Sequence, residues 1–210
     1  MNGSSLQIDG VILAGGLARR MGGGDKSLGL VGGRTLLERG IDRLQPQVRN
    51  IALNANGDPT RFREFALPVI ADGTDDFAGP LAGVLAGMDW AAAGGASHIL
   101  TVAADTPFFP TDLAARLEAG VTPDTPIALA ATTDQKRGLS RHPTFGLWPV
   151  ALADDLRAAL ADGVRKVVLW TDRHGAATVP FPIEPFDPFF NVNTPDDMAT
   201  AEALAEEHGL

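Results

Sequence analysis

Residues 13–26 read Leu-Ala-Gly-Gly-Leu-Ala-Arg-Arg-Met-Gly-Gly-Gly-Asp-Lys, and they continue the apolar run Val11-Ile12-Leu13. An apolar strand that runs into a glycine-rich turn and then a helical pattern is the opening of a parallel β-α-β unit. The five glycines of this turn leave backbone N–H groups uncovered and free of φ restriction, which suits wrapping around phosphate oxygens. Arg19, Arg20 and Lys26 supply the positive charge such a cradle needs, whereas a plain surface turn does not usually gather three cations. Neither common nucleotide motif is present. Asp25 stands where a Walker loop needs glycine before Lys26-Ser27, and the glycines at 15–16 and 22–24 do not fit G-x-G-x-x-G.

The rest of the chain alternates strand and helix patterns. Strands are expected at Gly10–Ala14, Val48–Asn54, Pro68–Asp72, His98–Ala104, Ile127–Ala131, Pro143–Trp148, Ala177–Phe181 and Phe189–Val192. Thr35 caps a helix bearing Leu36, Leu37, Ile41 and Leu44. Pro80 opens another, whose Leu81, Val84, Leu85 and Met88 recur at i, i+3, i+4 and i+7. Thr111 is read as the cap of a helix with Leu113 and Leu117. Further helical patterns cover Ala151–Ala161 and Val164–Thr171, and Thr194, Pro195 and Asp197 open the last helix with a capping box. The polar and basic stretch Asp134–Arg141 reads as a mobile loop. The expected architecture is α/β: a single doubly wound, mostly parallel sheet with helices on both faces, residues 1–210 forming one domain.

Composition narrows the function. A chain of 210 residues can bury about 70% of its unfolded surface in one α/β domain. A net charge of −9 argues against a nucleic-acid or anionic-membrane binder. Within Gly15–Arg43, however, six cations face three acids, the signature of a site for a small anion. There is no cysteine, so thiolate metal sites and a cysteine nucleophile are excluded, and a reducing compartment is compatible. The first ten residues lack signal-peptide features and no apolar run reaches spanning length, so a soluble cytoplasmic protein is expected. In doubly wound sheets ligands bind beyond the carboxyl ends of the strands, and the glycine loop, Asn54, Asp72 and Asp105 all fall there.

The run Leu13–Lys26, the segment Gly79-Pro80-Leu81-Ala82-Gly83, the strand end Asp105-Thr106-Pro107, the strand opening His142-Pro143-Thr144 and the tail Asn191-Val192-Asn193-Thr194-Pro195 occur in this order. Together they resemble the molybdenum cofactor guanylyltransferases of the nucleotidyltransferase superfamily, the MobA-type proteins, over almost the whole chain. The resemblance implies a Rossmann-like nucleotidyltransferase fold and an Mg²⁺-dependent enzyme. Its reaction would join GMP from GTP to the terminal phosphate of molybdopterin or Mo-molybdopterin, releasing pyrophosphate. It implies partners among molybdenum-insertion proteins and molybdoenzyme chaperones, and neither nucleic acid nor membrane.

Carried over residue by residue, the resemblance implies that Leu13, Ala14, Gly15 and Gly16 hold the nucleotide and that Lys26 contacts its phosphates. It gives the guanosine to Asn54 and Asp72, and Mg²⁺ to Asp105. Asn191 and Asn193 fall near the molybdopterin side, and Arg19, Arg20 and Arg165 match basic positions of the family. Each has a plainer reading from the residues alone: a solvated lysine for Lys26, a helix-cap carboxylate for Asp105, turn residues for Asn54 and Asp72, and a cap for Asn191 and Asn193. Arg19 and Arg20 are adjacent, so one is expected to reach a phosphate and the other to serve structure. A cytidylyltransferase, a sugar-phosphate nucleotidyltransferase and a non-catalytic nucleotide-binding module are the competing readings. The stretch Asp134–Arg141 departs from the family pattern.

Overall fold

A computed structural model describes residues 6–15, 25–73, 79–134 and 138–210, with residue 134 described by its backbone only. Arg19, Arg20 and Gly16 therefore lie outside the described residues. The elements in chain order are β1 (Ile8–Leu13), β2 (Leu30–Val31), β3 (Arg34–Thr35), α1 (Leu36–Leu44), β4 (Ile51–Asn54), β5 (Val69–Ile70), α2 (Pro80–Ala93), β6 (His98–Ala103), α3 (Leu113–Gly120), β7 (Ile127–Asp134), β8 (Gly138–Pro149), α4 (Ala153–Ala161), α5 (Val167–His174), β9 (Ala176–Phe181) and α6 (Pro195–His208).

Seven strands form one sheet in the order β5-β4-β1-β6-β8-β7-β9, and a two-stranded hairpin pairs β2 with β3. The sheet is parallel throughout except for β8, which is antiparallel to both β6 and β7. Alternation along β1 sorts the two layers, as the period of a strand requires. Ile12 joins Leu37, Leu44, Leu113 and Leu117 on the face covered by α1 and α3. Val11 joins Leu81, Val84, Met88, Leu156 and Trp170 on the face covered by α2, α4 and α5. Helices therefore cover both faces of a mostly parallel sheet, as the sequence pattern requires. No helix among the described residues is long and apolar enough to cross a membrane.

A third apolar cluster lies outside the sheet. Val31, Leu36 and Phe108 pack with Val192, Ala201 and Ala205, which seats α6 on the β2–β3 hairpin. The Glu202 carboxylate accepts from the Gly32 N–H at 2.8 Å. A Cβ built on Gly29 would lie 2.5 Å from Met198 Cε, so the methionine of α6 packs directly on this turn. The helix itself opens as expected: Thr194 accepts from the Asp197 N–H, Asp197 reaches back, and Pro195 is the first helical residue.

Several expected boundaries move. Asp134 and residues 138–141 are not loop: they belong to β7 and β8, which pair antiparallel with Asp134 opposite Gly138 and Ala131 opposite Arg141, and residues 135–137 lie outside the described residues. The outer end of β8 is exposed from Gly138 to Ser140, so it has no buried face to print an apolar alternation on the sequence. Asp112, not Thr111, is the N-cap of α3, and its side chain makes no capping bond. Phe189–Val192 is not a strand; Phe189 is instead buried in the core by its ring, with Phe145 and Phe181 edge-on to it. The fifth helix begins at Val167 rather than Val164, and the second sheet strand begins at Ile51 rather than Val48.

Candidate active site

β1 lies between β4 and β6, so its carboxyl end sits between two groups of polar residues. The Ala14 N–H donates to the Asn54 carbonyl at 2.8 Å, and the Ala104 N–H donates to the Leu13 carbonyl at 3.1 Å. Ala14 is buried, while Gly15 is exposed with open space where a Cβ would be. The start of the glycine loop is thus fixed by the sheet and points beyond its rim.

On the β4 side, Asn54 Nδ2 donates to Asp72 Oδ1 at 2.9 Å and to the Ile70 carbonyl at 3.2 Å. Asn56 Nδ2 donates to Asp72 Oδ2 at 2.9 Å, and Asn56 Oδ1 accepts from the Asp72 N–H at 2.8 Å. The two asparagines orient the Asp72 carboxylate from both sides. Asn56 was missed from the sequence, although its spacing of two from Asn54 is a signal that could have found it. Gly83 of α2 belongs to this group too. A Cβ there would lie 2.8 Å from Leu13 Cδ2 and 3.0 Å from Asn54 Cγ, with Asn54 Oδ1 closer still.

On the β6 side, Lys26 Nζ donates to Asp105 Oδ2 at 2.7 Å and to Asn193 Oδ1 at 2.6 Å. Asp105 Oδ1 faces the Thr106 hydroxyl at 3.3 Å, and that hydroxyl donates to Asn191 Oδ1 in a short hydrogen bond. The Val192 N–H donates to the Asp105 carbonyl at 2.9 Å, which ties the Asn191–Asn193 tail to the end of β6. The Asp197 carboxylate accepts from the N–H groups of Asn193 and Thr194, both at 2.8 Å. The Asn193 N–H, followed by the Thr194 hydroxyl, holds the Asp197 carboxyl below the usual carboxylate range. Thr106, which the sequence reading passed over within Asp105-Thr106-Pro107, is therefore the link between Asp105 and Asn191. Asn191 and Asn193 reach Asp105 only through Thr106 and Lys26 respectively, and they do so from an irregular tail rather than as neighbours on a strand.

Lys26 follows Asp25, whose carboxylate accepts from the Ser27 N–H at 3.1 Å and pairs with Arg61 Nε at 2.9 Å. This anchors the lysine turn to the segment after β4. Leu13, Ala14, Asp25, Lys26, Ser27, Ala104 and Asp105 line one small cleft. The predicted residues thus divide into two groups on either side of Leu13-Ala14. The Arg165 guanidinium donates to the Leu160 and Val164 carbonyls at 2.7 and 3.0 Å, at the end of α4.

His142 stacks on Phe189 with ring centroids 4.4 Å apart, and its Nε2 lies 2.9 Å from Thr132 Oγ1. Burial holds this imidazole below its ordinary pKa, against an opposing pull from Asp187, and burial does the same to His98 against Glu118. The unfolded chain therefore takes up these protons more readily than the native one. Stability present at pH 7 is lost as pH falls below the ordinary histidine value of about 6.5. The carboxyls held low (Glu38, Asp58, Asp155 and Asp197) act only at more acid pH. The melting temperature should fall between pH 7 and 5, and His142→Gln should flatten that slope. An unchanged slope in the variant would show that His142 does not carry it.

An α/β sheet that brings a lysine and a strand-end carboxylate together beside the exit of its first strand is the framework of a nucleotidyltransferase. A MobA-like NTP transferase domain model matches residues 10–176. Curated relatives include the molybdenum cofactor guanylyltransferases of Rhodopseudomonas palustris (strain BisB5), 55% identical over 93% of this chain and 92% of that one, and of a Bradyrhizobium species, 53% identical over 94% and 93%. The solved molybdopterin-guanine dinucleotide biosynthesis protein A of Archaeoglobus fulgidus superposes with a TM-score of 0.69 at 23% identity, over 95% of this chain and 99% of that one. The chain belongs to the MobA-like NTP transferase family, among the molybdenum cofactor guanylyltransferases.

Proposed function

We propose that residues 1–210 act as one domain that transfers GMP from GTP to the terminal phosphate of molybdopterin or Mo-molybdopterin. An acceptor phosphate oxygen attacks the α-phosphorus in line, the bond from that phosphorus to the bridging oxygen of the β-phosphate breaks, and pyrophosphate leaves. The observation that carries the reading is the meeting of Lys26, Asp105 and Asn193 at the mouth of β1 and β6, in a chain whose relatives of similar length share the activity's name. Both reactants are anions, so catalysis is chiefly positioning and charge neutralisation, and no serine, cysteine or histidine nucleophile is needed.

Leu13, Ala14, Gly15 and Gly16 hold the nucleotide through their backbone. Lys26 and one of Arg19 and Arg20 meet its phosphates. Asn191 and Asn193 border the acceptor side. Mg²⁺ is the cofactor of this reading, and the donor set suits it. Asp105 Oδ2 and Asn193 Oδ1 already converge on one cation at 2.7 and 2.6 Å, and both are the hard oxygen ligands that Mg²⁺ takes in small number beside phosphates. When bound, the ion would offset charge on the triphosphate. A cytoplasmic setting, with molybdenum-insertion proteins and molybdoenzyme chaperones on either side of the reaction, completes the reading, and the cysteine-free composition suits it.

Asp72 is the guanine reader: a carboxylate fixed by Asn54 and Asn56 accepts from the N1–H and amino group of guanine. Wild-type protein supplied with Mg²⁺, molybdopterin and GTP, CTP or ATP should release pyrophosphate with GTP alone. Asp72→Ala should lose most of that preference, by about 10²-fold for two unmade hydrogen bonds to a charged acceptor. Product from CTP in the wild type would replace the guanylyl reading with a cytidylyl one, and an unchanged preference in the variant would remove Asp72 from base recognition.

A further inference from the structure

The cation on Asp105 is an ammonium group of the chain itself. Lys26 Nζ is held at 2.7 Å by Asp105 Oδ2 and at 2.6 Å by Asn193 Oδ1, while Asp105 Oδ1 is turned to the Thr106 hydroxyl. The Lys26 and Asp105 side chains are 15% and 28% exposed, so water screens the pair only in part. Asn193 in turn is fixed by Asp197, and the Lys26 turn by Asp25–Arg61 and by α6. Among the described residues no cluster of three or more histidine or acidic side chains could hold a metal ion. The charge of Asp105 is already matched by Lys26, while that of Asp25, in the same cleft, is matched by Arg61.

We propose that Lys26 is a built-in place-holder for the divalent ion: ammonium and metal exclude one another on Asp105, and the nucleotide decides between them. The inference rests on the nucleotidyltransferase reading and adds an order of events to it. A divalent ion arriving alone meets a neutralised carboxylate and a like charge closer than 3 Å to the donors it needs, an arrangement strongly repulsive at any protein dielectric. A triphosphate changes the balance, because its oxygens offer the ammonium a better-charged partner within reach of a flexible four-carbon stem. Lys26 then leaves Asp105 for phosphate, and Asp105 becomes free to take metal. The same residue keeps the site closed to free cations and later binds the substrate that opens it.

The test is binding of Mn²⁺, followed by the electron paramagnetic resonance signal of the free ion, without nucleotide and then with GTP. Wild type should bind Mn²⁺ weakly alone and strongly with GTP. Lys26→Met and Lys26→Gln should bind Mn²⁺ alone at least tenfold more tightly than wild type, although both lose transferase activity, and adding Asp105→Asn should abolish the gain. Two replacements are used so that a folding defect in one, seen by circular dichroism, leaves the other to decide. Equal nucleotide-free affinity in wild type and either folded variant would overturn the proposal, as would a gain that survives Asp105→Asn. The nucleotide-free arms need no turnover, so failure of the guanylyl reading would show separately, as absence of product from GTP in the wild type.

Discussion

Asp105→Ala should keep its fold and lower pyrophosphate release from GTP by about 10³-fold, the scale set by removal of one preorganised charge-stabilising group. The carboxylate ends a buried strand but belongs to none of the three apolar clusters, so its loss leaves the core intact. What disappears is the carboxylate that Lys26 and Thr106 meet, while the backbone carbonyl that accepts from the Val192 N–H remains and keeps the tail in place. GTP binding in the presence of Mg²⁺ should weaken as well. Turnover within a few-fold of wild type, measured by a coupled pyrophosphate assay, would sink the assignment of Asp105 as the central acid.

Gly83→Ala should have the second largest effect, and on two readouts at once. The added methyl group would press on Leu13 Cδ2 and the Asn54 side chain, both held in the sheet, at distances real Cβ atoms do not adopt. Overpacking of this kind typically destabilises by about 1–3 kcal/mol. Relief by turning Asn54 away would break its 2.9 Å bond to Asp72. Urea unfolding should show the lost stability, and the KM for GTP should rise more than kcat falls. A variant as stable as wild type with an unaltered KM would mean that α2 recoils freely and does not brace the nucleotide side.

The sheet was legible in the sequence because its central strands and facing helices are buried on definite periods. The Leu81, Val84, Leu85 and Met88 stripe and the run 98–104 are examples. The outer end of β8 was not legible, since residues 138–140 are exposed and their pairing comes from backbone bonds that composition does not reveal. The same division holds at the site. Asp105, Asn54 and Asp72 follow strands and announce themselves by position. That Lys26 meets Asn193 could not be read, because 167 residues separate them and they are brought together by the seating of α6 on the β2–β3 hairpin and by the Val192–Asp105 backbone bond. Asn56 and Thr106 were overlooked for a related reason: their roles are defined by partners 16 and 85 residues away.

The lysine turn leans on α6, which lies beyond the last described strand of the sheet. The last strand of the sheet ends at Phe181, and α6 starts only at Pro195. During synthesis the sheet can be assembled while the helix that backs Gly29 and Gly32 is still inside the ribosome. Lys26 gains Asn193 and the packing behind its turn only from this stretch, so the site is completed by chain made after the sheet.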